Sequence, residues 1–472
     1  MVTAGRRVAA SQGVDARTMP QSNRVYSMND RPSRDGRYIL YWMQRAQRAR
    51  FNHALEHAVH RANEASLPLL VGFGLFETYP EANARHFAFM LDGLKETRDA
   101  LAERGILLAV RRGAPDAVAL DLAKDAAAIV TDAGHLRHER AWRAHVAEAF
   151  PGPVEEVDGD AVVPVALASG KHEHAARTIR PKILRLRDDL IAGMRHARPN
   201  RPSLDLKIAD CVSLDDPDAL CATLDLDRSV QPNRRFPGGT AEAVRRLKRF
   251  IDERIGGYAD ERNDPANVQG STLSPYLHFG QISPVEIAWR VVEAGEGRAE
   301  DRDMLLEELI VRRELAMNHV RYTDDYDAYE VLPDWAKASL AKHADDRREH
   351  TYTRAQLEAG DTHDPYWNAS MREMRVTGFM HNYMRMYWGK KILEWTPKPE
   401  DAFATALAIN NRYFLDGRDA SSFANVAWCF GLHDRAWPER PIFGKVRYMN
   451  EAGLRRKFEI DRYVAWTRTL EA

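Results

Sequence analysis

Cysteine is scarce in this chain. There are three in 472 residues, Cys211, Cys221 and Cys429, with no C-x-x-C pair among them. This excludes a disulfide framework, disfavours a structural zinc site and fits a reducing compartment. No metal is expected. Long apolar runs are also absent. The nearest, Pro68–Phe76, is far too short to span a bilayer. Charge of one sign is not in excess either. Lys plus Arg number 68 against 69 Asp plus Glu, a net charge of −1. Whole-chain charge therefore argues neither for nor against a polyanionic partner, and local patches must decide. Residues 1–35 have no apolar stretch of the secretory kind and read as a flexible tail. No internal repeat is visible. Hydrophobic residues make up 44% of the chain, enough for substantial cores.

The pattern that follows predicts α/β plus all-α. Short apolar runs at 37–42, 67–74, 105–112 and 126–131 alternate with helical periodicity at 43–64, 83–104 and 139–150. That alternation indicates a Rossmann-like parallel sheet covered on both faces, over residues 36–165. Residues 166–239 read as a long connector, with eight Lys/Arg between Ala176 and Pro202 and recurrent prolines to Pro237. Residues 240–472 read as an all-helical domain. Asp364-Pro365 is a sound helix start and Thr396-Pro397 a sound stop.

Several motifs invite chemistry. Gly72-Phe-Gly74 resembles the start of a dinucleotide fingerprint but lacks the third glycine, so a plain strand-to-helix turn is the better reading. His53, His57 and His60 share a helix face, yet a two-turn rise puts the outer pair about 10 Å apart, so only the first two could share an ion. A polar stripe is the better reading. The Gly270–Ser274 turn opens into a helix and suits a phosphate, although taken alone a plain capped helix start is the better reading. The run Asn410–Asp419 concentrates amides, carboxylates and guanidinium, which suits the polar edge of a planar ring or a simple turn. Arg440–Lys457 carries six Lys/Arg, one Glu and interleaved aromatics, a pattern for a nucleic-acid backbone or for a solvated face. Most informative is Asp364–Trp395. It holds three of the ten tryptophans, five methionines, three tyrosines and the basic-looking pair His381 and Arg385. Such redox-soft aromatic density fits a protein that holds a stacked cofactor and passes electrons to it. Spacing alone favours core packing. The helix is expected to break near Gly378.

Taken together, YWMQRAQRARFNHAL (41–55), AARTIRPKI (175–183), RNDPA (262–266), LSPYLHFGQISP (273–284), LEELIVRREL (306–315), YWNASMREM (366–374), MHNYMRMYWGKKILEW (380–395), LDGRD (415–419) and ERPIFGKVRYMN (439–450) resemble the class II cyclobutane pyrimidine dimer photolyases, within the photolyase/cryptochrome superfamily. The likeness runs from about Tyr38 to Val464. It implies an antenna domain, then a helical domain holding FAD, active when reduced. It implies a lyase that repairs UV-damaged DNA by light-driven electron transfer to a flipped-out dimer. A monomer in the cytoplasm, near the nucleoid if the source is bacterial, is expected, with no membrane contact.

The same likeness implies site residues. Tyr258 and the turn Ser271, Thr272, Leu273 and Ser274 would hold FAD, the turn at its phosphates. Arg385, Asp416 and Asp419 would lie near the flavin ring and Asn410 beside its N5. Trp388, Trp367 and Trp395 would relay electrons inward from the surface. Glu308 and Met386 would touch the dimer, with Trp428 against it. Glu308, if buried and protonated, would donate a hydrogen bond to a thymine carbonyl. Arg440, Lys445, Arg447, Arg455 and Arg456 would meet DNA. Between Trp428 and His433 the chain is one residue shorter than the family pattern, which alters the loop carrying Asp434. Val165-Ala166-Leu167 lacks the aromatic common there, so a second chromophore of deazaflavin type, of folate type, or none remains open. The competing reading is a cryptochrome-type light receptor. Receptors often carry a long extension, and this sequence ends eight residues after Val464. A (6-4) photoproduct enzyme would show paired active-site histidines, and no such arrangement is apparent in the sequence.

Overall fold

The computed structural model describes residues 22–267 and 270–471. Six strands form one sheet: β1 (Val25–Ser27), β2 (Tyr38–Trp42), β3 (Leu69–Leu75), β4 (Leu107–Arg112), β5 (Ala126–Asp132) and β6 (Val154–Val157). Their order is β1-β6-β5-β2-β3-β4. All neighbours are parallel except β1, which runs antiparallel to β6. Strands β2, β3 and β5 are buried along their whole length, because helices cover both faces. Ile39 and Tyr41 of β2 pack into one core with the helices His53–Glu64 and Ala84–Glu103. Tyr38, Leu40 and Trp42 pack into another with Pro115–Leu122 and Arg137–Ala149.

Three sequence expectations change here. Residues 22–35 are not a free tail. Strand β1 closes the sheet edge, and the buried Arg24 guanidinium donates to the carbonyls of Asp158, Ala161 and Val162. Residues 1–21 lie outside the described residues. The helix expected over 43–64 starts only at His53, where Asn52 Oδ1 accepts the Leu55 N–H at 3.0 Å. The loop before it is held from a distance, since Asp132 Oδ2 accepts the N–H groups of Gln44, Arg45 and Ala46 at 3.0, 2.9 and 2.8 Å. Gly72 and Gly74 lie inside β3, not in a turn. Strand order reverses between β2 and β5, where a nucleotide phosphate would ordinarily bind. A carboxylate of the chain itself takes the N–H groups there.

Within 166–239, Ala176–Leu190 is a helix whose Ile179 and Ile183 enter the core of the helical half. The rest crosses back over the sheet, with Val212 N–H bonded to Val110 O at 2.9 Å. From Thr240 onward the chain is helical. Helices Ala299–Leu306 and Arg313–Tyr322 are joined by a π-helical stretch, Glu307–Arg312. The aromatic segment forms two helices, Pro365–Thr377 and Asn382–Trp395. Asp364 Oδ1 accepts the N–H groups of Tyr366 and Trp367 and starts the first. Gly378, at φ 72°, ends it, and a Cβ there would lie 2.8 Å from Leu415 Cγ. The expected break is therefore present. No described helix is long and apolar enough to cross a membrane.

Arg48 and Arg45 tie the halves together. Buried Arg48 donates to Gly280 O at 2.8 Å and Gly159 O at 3.3 Å. Arg45 reaches Asp160 at 3.1 Å, Glu139 at 3.4 Å and Asp419 at 3.3 Å.

Candidate functional site

A cavity of about 720 Å³ opens in the helical half. Its wall brings together Tyr258, the turn Ser271–Ser274 and Glu308, residues up to 50 positions apart. Arg235, Arg246 and Arg262 also line it, and these the sequence reading missed. Arg246 Nη1 donates to Thr272 Oγ1 at 3.0 Å, and Thr272 holds a left-handed φ of 55°. The helix after the turn spans only Ser274–His278. Its dipole is therefore small, and the guanidinium groups add positive charge to the wall, Arg246 being paired with Glu242 at 2.6 Å and Arg262 with Glu308. The volume and this cationic turn fit an elongated ligand bearing a pyrophosphate.

Glu308 sits in the π-helical stretch and pairs with Arg262 at 3.1 Å. Its side chain is 32% exposed. It is a partly solvated, ion-paired group and not the buried acid that the hydrogen-bond-donor role requires. The buried carboxyl on this cavity is Glu373, which the sequence reading missed. Burial pushes it up to about 7, although Tyr463 OH donates to it at 2.6 Å and His381 N–H at 3.3 Å. A folded value above the ordinary 4.5 means that the native state binds the proton more tightly. Its stabilising share is full below about 4.5 and is lost as pH rises through 7. Glu373→Gln keeps an acceptor for Tyr463 but cannot ionise. Its stability relative to wild type should rise between pH 5 and pH 8, by on the order of 2 kcal/mol. Parallel denaturation midpoints across that range would exclude a titrating Glu373.

His381 also lines the cavity, but it is not basic. Burial lowers it to about 4, and its Nδ1 accepts the Tyr383 N–H at 3.2 Å. Arg385 is the cation of that pair. Its Nη2 lies 3.0 Å from both oxygens of Asp416, and its guanidinium stacks 4.0 Å from the Phe414 ring centroid and 5.5 Å from that of Phe379. Phe379 lines the cavity, so this pair stands directly behind the wall. Phe414 in turn lies 6.3 Å from Trp388.

The three tryptophans converge in an order the sequence does not show. Trp367 Nε1 donates to Trp388 O at 3.0 Å, and the Trp367 and Trp395 rings meet edge-on at 5.5 Å. The order in space is Trp388, Trp367, Trp395, leading away from Phe414. Trp395 is only 2% exposed, so the series does not itself reach the surface. Tyr352 and His363 cover it, with rings at 5.3 and 5.4 Å.

Other expected residues stand elsewhere. Asn410 is buried and donates to Asn411 Oδ1 at 3.0 Å, and it does not line the cavity. Asp419 bonds His278 at 3.3 Å and Arg45, at the junction of the two halves, and is not on the cavity wall. Burial opposes its charge, but the His278 hydrogen bond and Arg45 outweigh that and hold its carboxyl far below the ordinary range. Met386 and Trp428 are half-buried and also off that wall. Trp428 lies between Lys390 at 5.2 Å and Arg447 at 5.3 Å. Burial lowers Lys390 to about 8.

Of the expected DNA contacts, Arg440, Lys445 and Arg456 are exposed. Arg447 is committed to Asp434 at 2.9 Å and Arg455 to Glu451 at 2.9 Å. His57 pairs with Glu155 and His60 with Glu64, so the histidine stripe forms no shared site.

The DNA photolyase family profile matches residues 39–203. The chain is 48% identical to the deoxyribodipyrimidine photo-lyase of Methanothermobacter thermautotrophicus, over 94% of this chain and 98% of that one. It is 38% identical to the enzyme of the same name from Arabidopsis thaliana, over 92% and 89%, and to that of Potorous tridactylus, over 98% and 87%. In fold it is similar to a class III photolyase from Agrobacterium tumefaciens, with TM-score 0.69, 20% identity and coverage of 92% and 87%. It is also similar to a cryptochrome from Synechocystis, with TM-score 0.68, 15% identity and coverage of 93% and 100%. These likenesses run nearly end to end on both sides, and the chain belongs to the DNA photolyase family.

Proposed function

We infer that this protein is a light-driven DNA repair lyase of the class II type, acting on cyclobutane pyrimidine dimers with FAD as cofactor. The observation that carries the reading is the cavity with its cationic turn, joined through Phe379, Arg385 and Phe414 to the tryptophan series. When bound and reduced, FAD supplies the photochemical electron that opens the dimer.

The chain's own residues do the rest. Arg235, Arg246 and Thr272 bind the pyrophosphate. Tyr258 closes the cavity beside Glu308. Asp416 holds Arg385 behind Phe379, which lines the cavity. Asn410 donates to Asn411 Oδ1, which also accepts the Arg418 N–H, and so supports the turn that carries Asp416. Trp388, Trp367 and Trp395 form the reductive route, with Tyr352 and His363 at its outer end. Glu308, with Arg262 as counter-ion, offers the dimer a charged hydrogen-bonding edge, while Met386 and Trp428 supply apolar contact. A dimer in duplex DNA is out of reach and must be flipped out. Its weakened stacking reduces a cost that is ordinarily a few kcal/mol.

Glu308→Ala should lower repair yield several-fold in reduced protein while FAD content stays at the wild-type level. Unchanged yield would remove Glu308 from the lesion contact. Binding to dimer-bearing DNA should weaken steeply with salt. Each of Arg440→Ala, Lys445→Ala and Arg456→Ala should reduce the slope of log K against log salt by about 1. A slope unaffected by all three would place the DNA elsewhere. The receptor alternative predicts no preference for damaged over intact DNA in the same titration.

A further inference from the structure

Three histidines from distant segments meet outside the cavity. His172 lies in the loop after the helix Val165–Ala168, His319 in the helix Arg313–Tyr322, and His433 in the turn after Ala420–Cys429. One ring nitrogen from each lies within 4.8 Å of the others. The ring centroids are 5.4 Å apart for His172 and His319, 5.5 Å for His319 and His433, and 6.3 Å for His172 and His433.

We propose that His172, His319 and His433 form a binding site for one divalent transition-metal ion of the zinc class. A tetrahedral ion with metal–nitrogen bonds of about 2.0–2.1 Å holds its donor atoms about 3.4 Å apart and the ring centroids about 5 Å apart. His319 Nδ1 and His172 Nε2 stand 3.4 Å apart, and the centroid spacings need only a small contraction. His319 is 0% exposed. The Nε2 of His433 is buried with no hydrogen-bond partner among the described residues. A hydrogen-bonded histidine pair accounts for one contact between His172 and His319. It leaves the buried His433 nitrogen unsatisfied, which is costly and uncommon. His433 also holds a left-handed φ of 59°, a strain retained where the surroundings over-determine the backbone.

The chemistry of the donors selects the ion. No carboxylate belongs to the cluster, so calcium and magnesium are disfavoured and an imidazole-seeking metal is favoured. Arg312, whose charge acts on His433, is paired with Glu307 at 3.1 Å. His174, with its ring 5.2 Å from that of His172, or a water, completes the fourth position. The ion would pin the 430–434 turn to the helix of His319. That turn carries Asp434, which holds Arg447 beside Trp428. A metal there would stabilise the shortened loop, a role that the sequence reading, which expected no metal, did not include. The inference is independent of the light reaction and is tested in the dark.

The FAD-loaded protein, dialysed against chelator, is titrated with Zn²⁺ and separately with Co²⁺. The expected result is one ion per chain, a raised thermal midpoint, and visible Co²⁺ absorption of a four-coordinate nitrogen site. His172→Gln and His319→Gln should each weaken the affinity by at least about tenfold. His138→Gln, outside the cluster, should leave it unchanged. Circular dichroism of the metal-free variants confirms folding. If His319→Gln does not fold, the half-buried His172 decides alone. Sub-stoichiometric binding by folded wild type, or equal affinity in wild type and His172→Gln, would overturn the proposal.

Discussion

Trp388→Phe is expected to slow photoreduction of the bound flavin by at least about tenfold. A phenyl ring is much harder to oxidise than an indole, and each additional 1.4 kcal/mol of barrier is about a factor of ten in rate. The geometry leaves little room for a bypass. Trp388 is the tryptophan in ring contact with Phe414, whose face carries Arg385, and Trp367 reaches the series through the Trp388 carbonyl. The substitution keeps a buried apolar ring, so folding should survive. Repair by chemically reduced protein should match wild type, because the electron for the dimer does not travel through Trp388. Following flavin absorbance under blue light, with repair assayed separately after chemical reduction, separates the two steps. Equal loss of both would place Trp388 in the lesion chemistry or the core rather than in the relay.

Asp416→Ala should strip most of the FAD from the purified protein. Asp416 is the carboxylate partner of Arg385, and the pair is largely enclosed, with side chains 19% and 10% exposed. Removing one partner of such a pair leaves a guanidinium held against Phe414 with its charge uncompensated. For fully buried pairs this costs about 3–5 kcal/mol, and the residual exposure here reduces it to about 2–3 kcal/mol. That energy is lost at the wall behind Phe379, so cofactor affinity should fall by about 30-fold or more. Asp416→Asn keeps the acceptor and should retain part of the flavin. The ratio of flavin to protein absorbance measures both variants. Wild-type occupancy in Asp416→Ala would separate this pair from the cofactor.

The parts of the fold that the sequence revealed are those set by local pattern. Strands β2, β3, β4 and β5 read as apolar runs, because two covered faces leave little need for alternation. The break at Gly378 was legible for a similar reason, since one residue without a Cβ permits the left-handed turn. What escaped was set by distant partners. Strand β1 has three residues and exists through its pairing with β6, whose VEEV has no apolar run. The loop 43–52 has helical periodicity, yet Asp132, some 90 residues on, takes its N–H groups. Helix Ala176–Leu190 contains Pro181 and so many arginines that it reads as a connector.

The site divides in the same way. The Ser271–Ser274 turn and Glu308 lie in recognisable stretches, Tyr258 came only from the family likeness, and all line one cavity. Arg235 and Arg246 arrive from segments without a motif. Glu373 gains its raised value from burial, which no spacing encodes. Asp419 was expected beside the flavin because it closes the LDGRD stretch of the family likeness. The structure commits it instead to Arg45 and His278. The histidine cluster draws on positions 172, 319 and 433, separations that leave no trace in a single sequence.

The most direct test of the central claim is light-dependent repair. Chemically reduced wild-type protein is mixed with an oligonucleotide carrying one cyclobutane pyrimidine dimer, and the intact pyrimidines restored are counted after blue light and after darkness. The account predicts restoration in the light, none in the dark, and loss of the reaction when FAD is removed. No restoration in the light by reduced, FAD-loaded protein that binds the dimer would contradict it.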